Sequence, residues 1–178
     1  MIRIAKKADL AAVGGGYRSL LLFEREHGTS SNWVLDLYPT EDYAAAKIAA
    51  GEMFVLEEDG AVRGSMVLNG DQPREYADVP WLFPADGGEV LVVHTLCVPP
   101  AESGRGYGGR MVSFAKACAA EWGKRVIRID TWAENEAAKR LYLREGFRLA
   151  GYGESLLQGV IPEEQAFFEW RVGRDEKG

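Results

Sequence analysis

Ser103-Gly104-Arg105-Gly106-Tyr107-Gly108-Gly109 lies between the apolar run of residues 90–98 and an amphipathic pattern that starts near Tyr107. Four glycines within six positions let backbone N–H groups converge on an anion without side chains in the way. A helix start directly afterwards adds free amides and a partial positive charge. The stretch reads as a phosphate cradle between a buried strand and a helix.

Working outward, residues 90–98 are apolar apart from His94 and Thr95, as a central strand buried on both faces requires, and Pro99-Pro100 ends it. Met111, Val112, Ala115, Cys118, Ala119 and Trp122 recur at helical intervals, giving one buried stripe that stops at Gly123. Residues 126–130 form the next strand. Asn135 caps a further helix with Ala138, Leu141 and Tyr142 inward, Gly146 closes it, Phe147 opens another strand and residues 167–172 supply a last one.

On the other side of the loop, Ile2-Arg3-Ile4 reads as a short strand and residues 9–26 as helix. Gly14-Gly15-Gly16 interrupts that helix, because each glycine costs about 1 kcal/mol against alanine, so a break or two helices are expected. Thr40-Glu41-Asp42 starts a helix that Gly51 stops, and residues 53–57 and 62–69 make a hairpin around Glu58-Asp59-Gly60. Residues 69–88 hold Pro73, Pro80 and Pro84 with Tyr76, Trp81 and Phe83 and follow neither periodicity. They read as a long connection that packs its aromatics onto the surface or shapes a substrate pocket.

The 178 residues fit one domain, 1–178, and at 47% apolar and 27% charged the composition is that of a globular protein. No apolar run approaches the roughly 20 residues of a membrane span, and Met1-Ile2-Arg3-Ile4 lacks the apolar core of a signal peptide. Cys97 and Cys118 look like small core residues, and cytoplasm is the default location. The net charge of -6 argues against nucleic acid as partner. Yet residues 103–148 hold ten Lys/Arg against five acids, leaving +5 there and -11 elsewhere. That division suits an anionic cofactor and a cationic second substrate.

Gly104-x-Gly106-x-x-Gly109 also matches the dinucleotide fingerprint, with Asp130 placed as the ribose-binding acid of an NAD-dependent oxidoreductase. Two features weaken this reading. Five residues, 99–103, separate the strand from the first glycine, and only 48 residues follow Asp130, too few for a second mononucleotide half. The P-loop pattern is absent.

The order strand, Pro turn, glycine loop, helix, strand, Asn-capped helix, Gly-Phe resembles the GNAT N-acetyltransferase superfamily. Leu96-Cys97-Val98-Pro99 before Ser103-Gly104-Arg105-Gly106-Tyr107-Gly108 has that family's signature spacing, and Asn135, Ala138, Leu141-Tyr142 and Gly146-Phe147 match its second motif. Ser103 departs from it, standing where the family carries Arg or Gln; Arg105 and Arg110 are the candidates to make up the lost phosphate contact. The resemblance implies an α/β fold of one domain, with a mixed, mostly antiparallel splayed sheet flanked by helices. It implies acetyl-CoA as acyl donor, with no metal, and acetyl transfer to a primary amine by direct attack in a ternary complex.

In that reading the amides of Gly104, Arg105, Gly106, Tyr107, Gly108 and Gly109, with Ser103, hold the pyrophosphate. Leu96, Cys97 and Val98 pair with pantetheine, and the Leu96 N–H is the oxyanion donor. Asn135 reaches the pantetheine arm, and Tyr142, two helical turns on, protonates the departing thiolate. His94 is the candidate base, with Glu89 in reserve; Glu24 and His27 read as surface residues. Trp33, Tyr38 and Trp81, with Asp36 and Glu41, fall on the acceptor side, where an aromatic, acidic pocket favours a cationic amine. A non-catalytic acyl-CoA sensor is the alternative of a different class. Small-molecule and peptide acceptors, acyl chain length and oligomeric state, a homodimer included, are not separated by sequence.

Overall fold

Apart from a longer last hairpin, strand-forming residues fall where the pattern put them, and the strands join in one sheet. The computed structural model describes residues 1–173. Its strands are β1 (Ile2–Ile4), β2 (Met53–Glu58), β3 (Ala61–Asn69), β4 (Val90–Cys97), β5 (Val126–Trp132), β6 (Arg148–Leu157) and β7 (Ile161–Arg171). Their order is β1-β2-β3-β4-β5-β7-β6. β4 and β5 run parallel, whereas the β1–β2, β2–β3, β5–β7 and β6–β7 pairs are antiparallel. Four helices accompany them: α1 (Leu10–His27), α2 (Glu41–Ala49), α3 (Tyr107–Glu121) and α4 (Glu136–Arg144). This is the mixed, mostly antiparallel α/β sheet expected. No described helix is long and apolar enough to cross a membrane.

The chain groups into two compact units, Met1–Leu68 with His94–Met111, and Asn69–Val93 with the chain from Val112 onward. In the first, Val13 and Tyr17 of α1, Ala44 of α2, Met53 and Val55 of β2, Val67 of β3 and Cys97 of β4 share one apolar cluster. Thr40 caps α2 by accepting a hydrogen bond from Tyr43 N at 3.1 Å. Asp59 and Gly60, both at positive φ, make the two-residue turn whose twist suits the β2–β3 hairpin.

The expected break in α1 does not occur; the helix runs through all three glycines. Its buried stripe of Val13, Tyr17 and Leu21 outweighs the local penalty. Two of the glycines are there for their neighbours. A Cβ on Gly14 would lie 3.1 Å from the Glu41 side chain, and one on Gly16 would lie 3.3 Å from Pro99 Cγ, while Gly15 has nothing within 4 Å. Gly15→Ala is therefore expected to raise stability by about 1 kcal/mol, read as a higher melting temperature, and Gly14→Ala to give no gain.

In the second unit, Tyr76, Val90, Val92, Val126 and Phe167 form the core cluster, with Trp81 and Phe83 packed against it. The 69–88 connection holds two short 3-10 turns, Arg74–Asp78 and Gly87–Glu89. Of the two roles open to its aromatics, packing is what they perform: Tyr76 meets Trp81 and Phe167 edge-on with centroids 4.9 and 5.7 Å apart. Arg128 and Glu169, opposite each other in the β5–β7 register, fasten the connection. Glu169 accepts from Arg128 Nε at 3.1 Å and from Phe83 N at 2.9 Å, and Arg128 donates to Gln72 at 2.6 Å. β6 and β7 form a longer hairpin than the sequence indicated, because Glu163, Gln165 and Glu169 occupy buried positions of β7 and spoil its apolar pattern.

Candidate active site

A 3-10 turn, Pro100–Glu102, follows β4 and delivers the chain to the glycine loop. Gly104 and Gly106 take φ of +77° and +75°, alternating with Ser103 and Arg105. Such alternation turns successive amides towards one side, the concavity that holds oxyanions. Gly108 and Gly109 lie in the first turn of α3, whose opening amides lack intrahelical partners. Residues 103–106 are exposed.

The cations beside this loop are each matched by an acid. Glu58 accepts from the Tyr107 hydroxyl and from Arg110 at 2.8 Å. Glu102 accepts from Arg63 at 2.7 Å, with Arg105 3.5 Å away. The exposed Arg110–Glu58 pair is worth about 1 kcal/mol or less, so a phosphate can displace that acid at small loss.

On β4, Cys97 is buried in the apolar cluster, and burial pushes its thiol up to about 12, so it is neutral and not a nucleophile. Leu96, Val98 and His94 are half-buried. β3 approaches here: a Cβ on Gly64 would stand 3.1 Å from the Cys97 carbonyl oxygen and 3.0 Å from Met111 Sδ. Gly64→Ala is expected to shift the Cys97 backbone and cost about 1–2 kcal/mol of stability, measured by denaturant titration.

Between His94 and Leu96 stands Thr95 at φ +50°, a conformation that β-branched residues rarely adopt. Its hydroxyl is held by Tyr38 Oη at 2.6 Å and Tyr43 Oη at 2.9 Å. Trp33 packs edge-on against Tyr38 with centroids 5.9 Å apart, and Tyr38 packs on Tyr43 at 5.2 Å. The strand next to Leu96 is thus kinked and clamped by aromatics of the same unit.

In the second unit Asn135 caps α4, accepting from Ala138 N at 3.0 Å. Tyr142, 4% exposed, packs against Phe168 and Phe147 with centroids 5.6 and 6.1 Å away. Burial first, and then the negative charge of Asp130, push its phenol above the ordinary tyrosine range, so it keeps its proton. Glu89 sits in a 3-10 turn, paired with Arg125 at 3.2 Å and accepting from Asp86 N at 3.0 Å.

The sequence model of the acetyltransferase (GNAT) family matches residues 20–147. The chain belongs to that family. As a GNAT acetyltransferase it takes acetyl-CoA as donor, and the dinucleotide-binding alternative falls away. A Salmonella typhimurium L-methionine sulfoximine/L-methionine sulfone acetyltransferase is 29% identical over 82% of this chain and 78% of its own length. The Escherichia coli L-amino acid N-acyltransferase MnaT is 27% identical over the same shares. Among solved structures, Salmonella typhimurium yncA with its cofactor acetyl-CoA superposes with a TM-score of 0.71 at 22% identity, over 100% of this chain and 96% of that one. A Listeria monocytogenes GNAT acetyltransferase does so with 0.75 at 21%, over 97% and 94%. These structures share the fold.

Within the GNAT chain, His94, Leu96, Cys97, Val98 and Ser103 to Gly109 belong to the first unit, and Asn135 and Tyr142 to the second. Trp33 and Tyr38 fall together as expected. Trp81 instead packs in the second unit against Phe167, with the Arg128 guanidinium 4.2 Å from its ring. Asp36 pairs with Arg18 at 3.3 Å, both exposed, and Glu41 lies over Gly14. Glu24 is not a surface residue: it is 5% exposed and accepts hydrogen bonds from Ser30 N and Ser31 N at 3.1 and 2.9 Å. His27 is exposed and stacked on Phe23. Thr95 and Tyr43 escaped the sequence reading, since a threonine in a strand and a tyrosine in a helix carry no local signal of a clamp.

Proposed function

We propose that residues 1–178 work as one N-acetyltransferase domain that moves the acetyl group of acetyl-CoA to the amino group of a small amino-acid-like acceptor by direct attack. The observation that carries the donor half is the left-handed pair Gly104 and Gly106 leading into the first turn of α3. Its amides hold the pyrophosphate, and Ser103, Arg105 and Arg110 add contacts. The backbone of Leu96, Cys97 and Val98 pairs with the pantetheine arm, Asn135 reaches it, and the Leu96 N–H steadies the oxyanion. Tyr142 serves the leaving sulfur. Of the two bases offered by the sequence, Glu89 is paired with Arg125 and His94 stands half-buried on β4.

The acceptor half draws support from the two relatives named above, an L-methionine sulfoximine/L-methionine sulfone acetyltransferase and an L-amino acid N-acyltransferase. Calorimetric titration with acetyl-CoA, NAD and dephospho-CoA, followed by an amine screen that starts from L-methionine sulfone and the L-amino acids, tests both halves. Acetyl-CoA binding without NAD binding is the expected result; NAD binding alone would sink the reading. Gly106→Val forces a side chain into the left-handed region and is expected to weaken acetyl-CoA about tenfold or more in the same titration.

A further inference from the structure

With the dinucleotide reading gone, Asp130 has lost the role that sequence offered it, and its setting is not that of an ordinary surface acid. The parallel ladder between β4 and β5 ends at Val93↔Ile129, while β5 runs on to Trp132 in register with β7. Asp130 is the first residue of β5 beyond that ladder. The carboxyl ends of parallel strands are where α/β sheets present groups to ligands. Its partner in register is Phe167, whose ring joins Tyr76 and Trp81; the next residue, Phe168, points to the opposite face and packs on Tyr142.

The half-buried carboxylate accepts a hydrogen bond from Tyr76 Oη at 2.7 Å and another from its own backbone N–H. Around it stand Glu75 and Tyr76 of the 3-10 turn, Glu163 of β7, Tyr142 of α4 and Arg128 on its own strand. Arg128 is taken up by Glu169 and Gln72, and Glu163 accepts from Gln165 at 2.8 Å. Asp130 therefore has a neutral phenol and neighbouring acids where charge compensation calls for a cation. Burial, with Glu163 and Glu75 adding to it against the Tyr76 bond, pushes its pKa up to about 6. It is ionised at neutral pH and still basic enough to accept a proton.

We propose that Asp130, oriented by Tyr76, receives the acceptor's ammonium group and takes the proton that frees its lone pair. The assignment rests on the transferase reading and gives Asp130 the base's role for which the sequence offered His94. The balance is simple. One N–H proton passes to the carboxylate, and the neutral amine forms the C–N bond at the thioester carbonyl. The C–S bond then breaks; the thiolate takes the Tyr142 proton, which the amide nitrogen's surplus proton restores, and Asp130 releases its proton to water.

The test follows kcat/KM for the acceptor between about pH 5 and pH 9. It uses the full chain with saturating acetyl-CoA, L-methionine sulfone being tried first and the fastest amine of the screen otherwise. The wild type is expected to lose activity as pH falls through about 6. Asp130→Asn should lower kcat/KM about tenfold or more near neutrality and abolish that limb, with acetyl-CoA affinity unchanged. Tyr76→Phe removes the donor that steadies the carboxylate and should move the limb to higher pH, whereas His94→Gln should leave it in place. With aminoacetonitrile, whose amine is largely unprotonated at neutral pH, the Asp130→Asn deficit should shrink.

Folding of the variant has its own signature. A carboxyl with a raised native pKa lends stability below its unfolded pKa and loses it as pH rises towards about 6, so Asp130→Asn should melt higher than the wild type at alkaline pH. An unaltered limb in Asp130→Asn, or a limb that follows His94→Gln, would overturn the assignment. A wild type that binds no acetyl-CoA fails the transferase reading itself, whereas one that turns over equally well as Asp130→Asn fails this assignment alone.

Discussion

Replacing Tyr142 with phenylalanine is expected to lower turnover roughly 10²-fold or more, with the Kd for acetyl-CoA within about twofold of wild type. The side chain is 4% exposed and flanked by Phe147 and Phe168, so a phenyl ring fills the same space and the fold is kept. What is lost is one O–H. Because burial and Asp130 raise the phenol's pKa, outright transfer to a free thiolate is uphill. In the proposed reaction the hydroxyl instead donates a hydrogen bond that tightens as charge grows on sulfur, and transfer completes when the nitrogen's surplus proton replaces it. Such a bond is made only as the C–S bond breaks, so its removal falls on kcat. Unchanged turnover takes Tyr142 out of this role; weakened acetyl-CoA binding with normal turnover makes it a packing residue.

The second large effect is on stability. Glu169→Ala is expected to cost about 3–5 kcal/mol, because it leaves the Arg128 guanidinium buried without its counter-charge and Phe83 N–H without an acceptor. For a chain of this size that corresponds to a melting temperature lower by roughly 10 °C. Glu169 is 0% exposed and Arg128 6%, so water cannot stand in for the missing oxygens. The double change Arg128→Met with Glu169→Leu should lie closer to wild type than Glu169→Leu alone, since removing both charges leaves neither stranded. A double variant that loses as much as the sum of the single changes would mean that the pair acts through the 72–83 connection alone.

Residues 90–150 were legible because their signals are local: a run of apolar strand residues, a proline stop, glycines at left-handed positions, an asparagine cap. Asn135 and Gly146 behave as caps in the structure as they do on paper. Where reading failed, the cause lay far away in sequence. Gly14 and Gly16 look like helix breakers until Glu41 and Pro99 are seen against them. Glu24 looks like a surface acid until the 29–31 turn folds over it. β7 hid because Glu169, a charged residue, fills a core position that Arg128, 41 residues earlier, and Phe83 N–H make tolerable. At the candidate site the same holds: the glycine loop announces itself, whereas Asp130 owes its setting to burial and to the orienting hydroxyl of Tyr76, 54 residues away.

Thr95 carries this dependence furthest. A β-branched residue in the left-handed region stores about 1–3 kcal/mol that its surroundings must hold in place, and the holders are two tyrosine hydroxyls 57 and 52 residues upstream. Anyone grafting the segment around Tyr38 from a relative to retune acceptor choice would therefore release a spring in the strand beside Leu96. On the proposed reading, selectivity and rate are mechanically joined, and a chimaera that omits both tyrosines should relax Thr95 and change the speed of the reaction before it changes the choice of amine.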